Sequence, residues 1–577
     1  MNKSLTKKQR FIGALTITLV LYVLFSISSG LYIYTDNITV GVVTSGMYGN
    51  NQCQYLHHLL CLVIGLLNPV LPFADVYATL THVSLLLGIF LISYAFIETA
   101  FQKPIRKWRV DDMVSAALMA LAIVYFTLGL KLFGVNYTVQ TTAIISEGVI
   151  ALVYGAKTRK RRSWIVAATA VVGAGFLQRY EACLLFLPFL ALELLTEIVR
   201  AKDKAGWFKN NRRYLLPAIV VIIALLASKA AFMNIEPYKS DAAYNRYRTI
   251  SEDYPMETYG VTYKDFSEID HDTYIMVTHW ILADTDVINE DTLRKIAEVG
   301  SRNDYQYTSQ GLKWTLNEMK RVATTQDVHL MVLLALTALL TLWNILTARG
   351  VWLKLESVLC TLGGFVILFY FTFRGRAPIR VWQCVVISAL TVHVLVMIKG
   401  VMDRQSVSPV DRKGQPGGVV IFQLLLCVVL YFGVGQVMAH SSVHAPVFPL
   451  TARVGADDSA YEATFEEDVL YLWPNWYSAI PDYFSRQDKL PTQRVIEHNI
   501  AFGDWLYGQV YFRDFLSRIG AENPAKALLE RSNTYFIEGQ EDILLEFMRK
   551  HYGDDIQAEY VRKVNGKKAY RLVRKDD

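Results

Sequence analysis

Whole stretches of about 20 residues in this chain carry almost no charge, among them 11–33, 76–98, 214–233, 328–348, 355–373 and 419–439. An α-helix rises ~1.5 Å per residue, so ~20 apolar residues cross a hydrocarbon core of ~30 Å. A soluble chain of 577 residues, 53% of them hydrophobic, would instead divide into domains with alternating polar faces. The expected fold class is therefore an α-helical polytopic membrane protein. The first run follows Lys3, Lys7, Lys8 and Arg10 and is longer than a signal-peptide core, so it reads as a retained signal anchor.

Charge orders the spans. Basic residues fill the N-terminus and the gaps 99–111, 157–163, 200–213, 349–354 and 399–413. They are sparse in 34–75, 135–138 and 179–181. Basic loops stay on the cytoplasmic side, so the alternation assigns each gap a side. It holds only if the apolar run 57–73 does not cross. That run is short, contains Pro69 and Pro72, and begins at His57 and His58. Proline removes a backbone donor and breaks helices, so 55–75 reads as short helices on the outer surface. About eleven spans follow, with the N-terminus cytoplasmic and the C-terminus outside.

The chain then divides into a first transmembrane module over 1–233, with an outer loop at 34–75, and a large outer loop over 234–327. A second transmembrane module covers 328–439, and a small outer α/β domain covers 440–577. In the last part, Asn533–Ile537 reads as a strand and 540–551 as a helix. The strands 560–564 and 569–573 flank the turn signal Asn565-Gly566. Cys183, Cys360, Cys384 and Cys427 lie in apolar runs, and only Cys53 and Cys61 are close enough in sequence to pair.

One group breaks the alternation. Arg374, Arg376 and Arg380 flank Gly375 and Pro378 in an outer gap. Guanidinium groups bind phosphate through a planar bidentate fork. Three of them against the orientation rule suit a lipid phosphate or pyrophosphate; contact with anionic headgroups or with acidic residues of the outer domain is the competing account. Arg179 and Glu181 form the whole connection between two runs. They either join that site or make a local ion pair. Asp36, where the first span ends, is either a general base or metal ligand, or an interfacial aspartate ending the helix in water. Lys131 and Glu147 are expected to pair within the bundle or to line a polar cavity.

In the large loop, Tyr244, Arg246 and Arg248 precede Glu252-Asp253-Tyr254. Aromatics interleaved with polar groups suit sugars, and equally a well-packed loop domain. The spans read as free of notable charge. No GxxxxGK[ST], HExxH or zinc-spaced Cys/His cluster occurs, and the net charge of +6 sits in loops, which argues for no nucleic-acid partner.

Taken together, the first span, the acidic residue just outside it, the short surface helices and seven spans before a long outer loop resemble the GT-C superfamily of membrane glycosyltransferases. The stretches Thr44–Gly49, Tyr244–Arg248 with Asp253-Tyr254, and Gly375–Val381 are similar to those of a group of uncharacterised bacterial multispanning proteins. The resemblance implies a bacterial plasma-membrane enzyme of the cell envelope. It would transfer a sugar from a polyprenyl-phosphate carrier to a glycan, lipid or protein acceptor on the outer face, with inversion. It implies Asp36 as the catalytic carboxylate, Arg374, Arg376, Arg380 and Arg179 at the carrier phosphate, and Glu181, Tyr244, Arg246 and Arg248 at the substrate. The adjacent position is Asn37, and the loop 135–138 offers Asn136 and Tyr137 but no second carboxylate, so a divalent metal stays open and no cofactor is assigned. A lipid-linked glycan flippase, an ion-coupled transporter and a non-catalytic scaffold are the other classes.

Overall fold

The structure is a computed structural model. It describes residues 5–28, 35–72, 74–101, 113, 137–254, 256, 260–300, 305–324, 328–348, 350–376, 378–405, 468–474 and 492–575. The apolar run 419–439, Lys131 and Asn136 lie outside these residues, as does the side chain of Asp36.

Nine helices of the first part fall among the described residues: α1 (Lys7–Ser28), α2 (Thr35–Thr44), α3 (His58–Leu67), α4 (Val76–Ala100), α5 (Tyr137–Thr158), α6 (Arg162–Gln178), α7 (Tyr180–Arg200), α8 (Lys204–Phe232) and α9 (Tyr238–Asp253). After them come α10 (His271–Thr278), α11 (Glu290–Gly300), α12 (Ser309–Thr324), α13 (Val328–Thr347), α14 (Val351–Phe373) and α15 (Ile379–Gln405). Seven helices among the described residues are long and apolar enough to cross a membrane: α4, α5, α7, α8, α13 from Leu330, α14, and α15 to Asp403. α6, with 17 residues, is slightly shorter.

Glycines set the tightest contact of the bundle, between α5 and α6. A Cβ on Gly148 would lie 2.8 Å from the Val172 nitrogen, and one on Gly175 would lie 2.5 Å from Ile145. Helices without a hydrophobic drive between them associate through such close backbone approach.

α3 has ten residues and spans only ~15 Å, too little for a crossing. It buries His58, Leu60, Cys61 and Ile64 and exposes Leu59, Leu62, Val63 and Leu66. This apolar outward face suits a helix lying along a bilayer surface.

Arg10, Lys160 and Arg200, from three of the basic gaps, stand at one end of the bundle. Arg10 donates to Glu98 at 3.1 Å, and Lys160 pairs with the same carboxylate. Arg200 reaches Asp403 at 2.8 Å. At the other end, the backbone N–H of His57 donates to Leu177 O at 2.8 Å, and Lys229 donates to the carbonyls of Gln54 and Leu56. The arginines that break the alternation stand at this second end.

The C-terminal part contains a five-stranded sheet in the order β2-β1-β3-β5-β4. The strands are β1 (Leu470–Trp473), β2 (Asn499–Ala501), β3 (Thr534–Ile537), β4 (Ile556–Val564) and β5 (Lys567–Arg574). β1 runs parallel to β2 and β3, and β5 pairs antiparallel with β3 and β4. Helices α16 (Gln493–His498), α17 (Val510–Arg518), α18 (Pro524–Glu530) and α19 (Glu541–Tyr552) accompany it. The Asn565-Gly566 turn has positive φ at both positions, 49° and 79°, as a two-residue hairpin requires.

The outer segments do not stand apart. The first outer loop, residues 244–296 and the sheet region share one hydrophobic core, separate from that of the bundle. Phe512 and Phe515 pack edge-on against Tyr48. Leu282 N donates to Phe502 O at 2.9 Å, and Ala525 N to Ala283 O at 3.2 Å. The described parts of 234–327 and of 440–577 thus pack on one another around this shared core.

Candidate functional site at the arginine-bearing end

Arg179 caps the junction of α6 and α7 in an extended conformation, φ −158° and ψ 97°. Its guanidinium lies 4.6 Å from the centre of the Tyr55 ring and hydrogen-bonds the Tyr137 hydroxyl at the start of α5. Its Nε is 3.2 Å from Glu181. Burial opposes the charge of Arg179, but Glu181, Tyr137 and Tyr55 outweigh it and hold the guanidinium firmly protonated.

Tyr55 connects Arg179 to the outer body. Its hydroxyl donates to Asn245 at 3.2 Å and receives Arg248 at 3.3 Å, while its ring packs on Trp505 at 4.7 Å. Arg248, on α9, is buried with Glu252 one turn later, and the two form an ion pair. Arg248 also donates to Asn245 at 2.9 Å and lies over Trp280. Burial raises the Glu252 carboxyl above the usual carboxylate range, with Asp253 and Asp504 adding to it and Arg248 opposing. Glu252 Oε1 has no hydrogen-bond donor.

The next residue on α9 faces the other way. Asp253 accepts from Arg376 at 3.1 Å, tying the α14–α15 connection to the outer body. In that connection, Arg376 donates its backbone N–H to Phe371 O at 2.9 Å, around Gly375 with φ 76°. Arg380 is exposed at the start of α15, and Arg374 is partly buried. Cys384, one turn after Arg380, lies 3.7 Å from the Thr138 carbonyl and within electrostatic reach of both Arg179 and Arg380.

A continuous path of contacts therefore runs from Arg376 through α9 to Arg248, Tyr55 and Arg179, and on to Tyr137 and the start of α15. Of the arginines expected at the phosphate, Arg179 and Arg376 lie along this path with Arg380 at the start of α15, and Arg248, expected at the substrate, lies between them. Arg179, Arg248 and Arg376 each have a carboxylate counter-ion: Glu181, Glu252 and Asp253. The expectation of direct sugar contact by Tyr244 and Arg248 meets burial instead. Tyr244 packs where a Cβ on Gly508 would lie 2.1 Å from its ring, and Arg248 is spent on Glu252 and Asn245. Arg246 is exposed.

Asp36 lies in the first turn of α2. One turn on, Thr39 donates to Asp504 at 3.4 Å, which sets α2 beside the 505–508 turn that Asp504 caps. Asp504 and Tyr55 are site residues the sequence reading did not single out, and Asn245 was named only as part of the Tyr244–Arg248 stretch.

The expected partner of Glu147, Lys131, lies outside the described residues; among these, Glu147 is fully buried and neither of its oxygens has a hydrogen-bond partner. A Cβ on Gly88 of α4 would meet it at 2.1 Å. The spans are also not free of charge, because Glu193, Glu356 and Lys399 meet inside the bundle. Hydropathy averages pass over single ionisable residues in long apolar runs. No group of His, Cys, Asp and Glu among the described residues is arranged to hold a metal ion.

Comparison with protein-family models, with curated proteins and with solved structures finds no match to this chain.

Proposed function

We propose that the chain is a GT-C-type membrane glycosyltransferase that works at the arginine-bearing end of the bundle. The observation that carries this reading is the convergence of Arg179, Arg376 and Arg380, from two separate helix junctions, on the end where α2 begins. Arg376 is the most accessible cation of the three ion pairs, at 38% side-chain exposure. A carrier phosphate would displace Asp253 from it and find Arg380 one turn away. Arg248 and Glu252, being buried, position this arrangement rather than touch the carrier.

In the proposed reaction, an acceptor hydroxyl attacks the anomeric carbon. The bond from that carbon to the carrier oxygen breaks, and its electron pair leaves on the phosphate. Charge grows on the phosphate as the sugar departs, so the arginines stabilise the transition state more than the ground state. Asp36 takes the hydroxyl proton from the opposite face, which gives inversion. The acceptor is a glycan, lipid or protein on the outer face of a bacterial plasma membrane, and the basic loops face the cytoplasm.

Deletion of the gene, followed by complementation with Asp36→Asn and Arg376→Gln, tests this. Loss of glycan decoration with normal carrier flipping, uncorrected by Asp36→Asn, supports transfer. Full activity of Asp36→Asn in membranes supplied with lipid-linked sugar removes Asp36 as the base. The second reading is transport, favoured by the buried charges around Lys399. Carrier accumulating on the cytoplasmic leaflet of the deletion strain would select it.

A further inference from the structure

At the end of the bundle opposite the arginines lies a buried charge network that sugar transfer does not use. Lys399 Nζ on α15 is 2.8 Å from Glu193 Oε2 on α7 and 3.1 Å from each oxygen of Glu356 on α14. Glu197, one turn after Glu193, is 3.4 Å away. The side chains of Lys399, Glu193 and Glu356 are at most 1% exposed.

The surrounding ion pairs extend the network. Arg200 on α7 bonds Glu197 at 2.9 Å and Asp403 on α15 at 2.8 Å, and Lys157 on α5 lies 3.7 Å from Asp403. Glu197 and Asp403 thus have Arg200 and Lys157 beside them, and Glu193 and Glu356 are left to share Lys399 among the described residues. Cys360 on α14 is the nearby thiol. α13, which packs on α14 and α15, brings only uncharged side chains over Leu330–Thr347. On α4, Glu98 is held by Arg10 and Lys160. The rim residues Arg159 and Asp203 are exposed and of opposite sign.

Glu193 shows where the imbalance falls. Its Oε2 takes the lysine, while its Oε1 is buried and receives no donor. Glu193 and Glu356 both bond the one Lys399 nitrogen, at 2.8 and 3.1 Å, which holds their carboxyls side by side. Two carboxylates in such contact, far from bulk water, are held together by a shared proton rather than by a second full charge. Glu193 is also on the wall of a cavity of about 360 Å³ lined by Lys157, Glu197, Trp207, Asn210 and Asn211. The cavity meets the network through Glu197, which is 22% exposed and 3.4 Å from Lys399, at the basic-loop end.

We propose that Glu193 and Glu356 form a carboxyl–carboxylate pair that binds one exchangeable proton, with Lys399 as its fixed counter-ion and the cavity as its route of access. A purely structural bridge would match one lysine with one carboxylate. Here the surplus acid, the orphaned oxygen and the cavity wall coincide. The site is independent of whether the outer end transfers a sugar.

Infrared difference spectroscopy on the full chain in lipid nanodiscs tests this. At neutral pH the wild type should show the C=O stretch of a protonated carboxyl that shifts promptly on transfer to D2O. Glu193→Gln and Glu356→Gln should each abolish it, because the remaining carboxylate pairs with Lys399. Glu197→Gln should keep it. Lys399→Met should roughly double its intensity, because both acids then protonate, and this result does not require either glutamine variant to fold. Glu147 should give a distinct band, removed only by Glu147→Gln. A carboxyl band that survives both Glu193→Gln and Glu356→Gln, an unchanged band in Lys399→Met, or a Glu193/Glu356 band that fails to exchange in D2O would overturn the proposal.

Discussion

Arg376 donates to Asp253 across 3.1 Å, joining residues 123 apart in the chain and linking the α14–α15 connection to the outer body. The pair is partly open to solvent, so it contributes little to stability, about 1 kcal/mol or less. Asp253→Asn should shift the melting temperature only slightly. It should also free Arg376, raising the affinity of the purified protein for a short-chain polyprenyl phosphate, whereas Arg376→Gln should lower it. A titration in nanodiscs measures both, and equal affinities in the two variants would remove Arg376 from the phosphate site.

Arg248 and Glu252 should behave in the opposite way. Both side chains are enclosed, at 4% and 0% exposure. Removing one partner leaves the other buried and uncompensated, at a cost of about 3–5 kcal/mol. Arg248→Met should lower the thermal midpoint markedly and expose the 244–296 region to limited proteolysis. A midpoint within a degree or two of the wild type would show that the pair is dispensable.

Asp241 provides a pH dependence. It is enclosed, and its carboxylate accepts the backbone N–H of Val510 at the start of α17 at 3.2 Å. Burial pushes it up from 3.8 to about 6, while Val510 and Arg513 oppose. The folded state therefore holds this proton more tightly than the unfolded chain does. The resulting stability is full below about pH 4 and is lost as pH rises through about 6, a change of ~3 kcal/mol at most. Asp241→Asn keeps the acceptor oxygen and cannot titrate, so its melting temperature should fall less than that of the wild type between pH 4 and 6.5. Parallel profiles would exclude this residue as the source.

Gly503 tests the docking of the outer segments. A Cβ there would lie 1.5 Å from the carbonyl oxygen of Trp280, a backbone atom that cannot swing aside. Gly503→Val should separate residues 271–300 from the sheet region and raise hydrogen exchange at Leu282 and Phe502. It should leave the bundle intact. Unchanged exchange at those two positions would show that the contact is not needed.

Much of the outline was legible in the sequence because it depends on local sums. Apolar run length marks the long helices, and proline with a short run marks α3 as non-crossing. Asn565-Gly566 marks the hairpin because only a turn with positive φ at both positions joins those strands tightly. Charge alternation placed Arg10, Lys160 and Arg200 at one end and Arg179 and Arg376 at the other, since orientation depends on the loops alone.

Partner choice was decided by the tertiary structure. Nothing near Tyr55 in sequence indicates that it would bridge Arg179 and Asn245. Nothing local to Lys399, read from sequence as a loop lysine at the end of a span, indicates three carboxylates around it. The short strands β1 and β2 carry too few residues for a period to register, and they form by parallel pairing with each other and with the distant β3. An isolated charge in an apolar run adds little to a window average. Inside a low-dielectric bundle its cost is large, and only folding brings the opposite charge close enough to offset it.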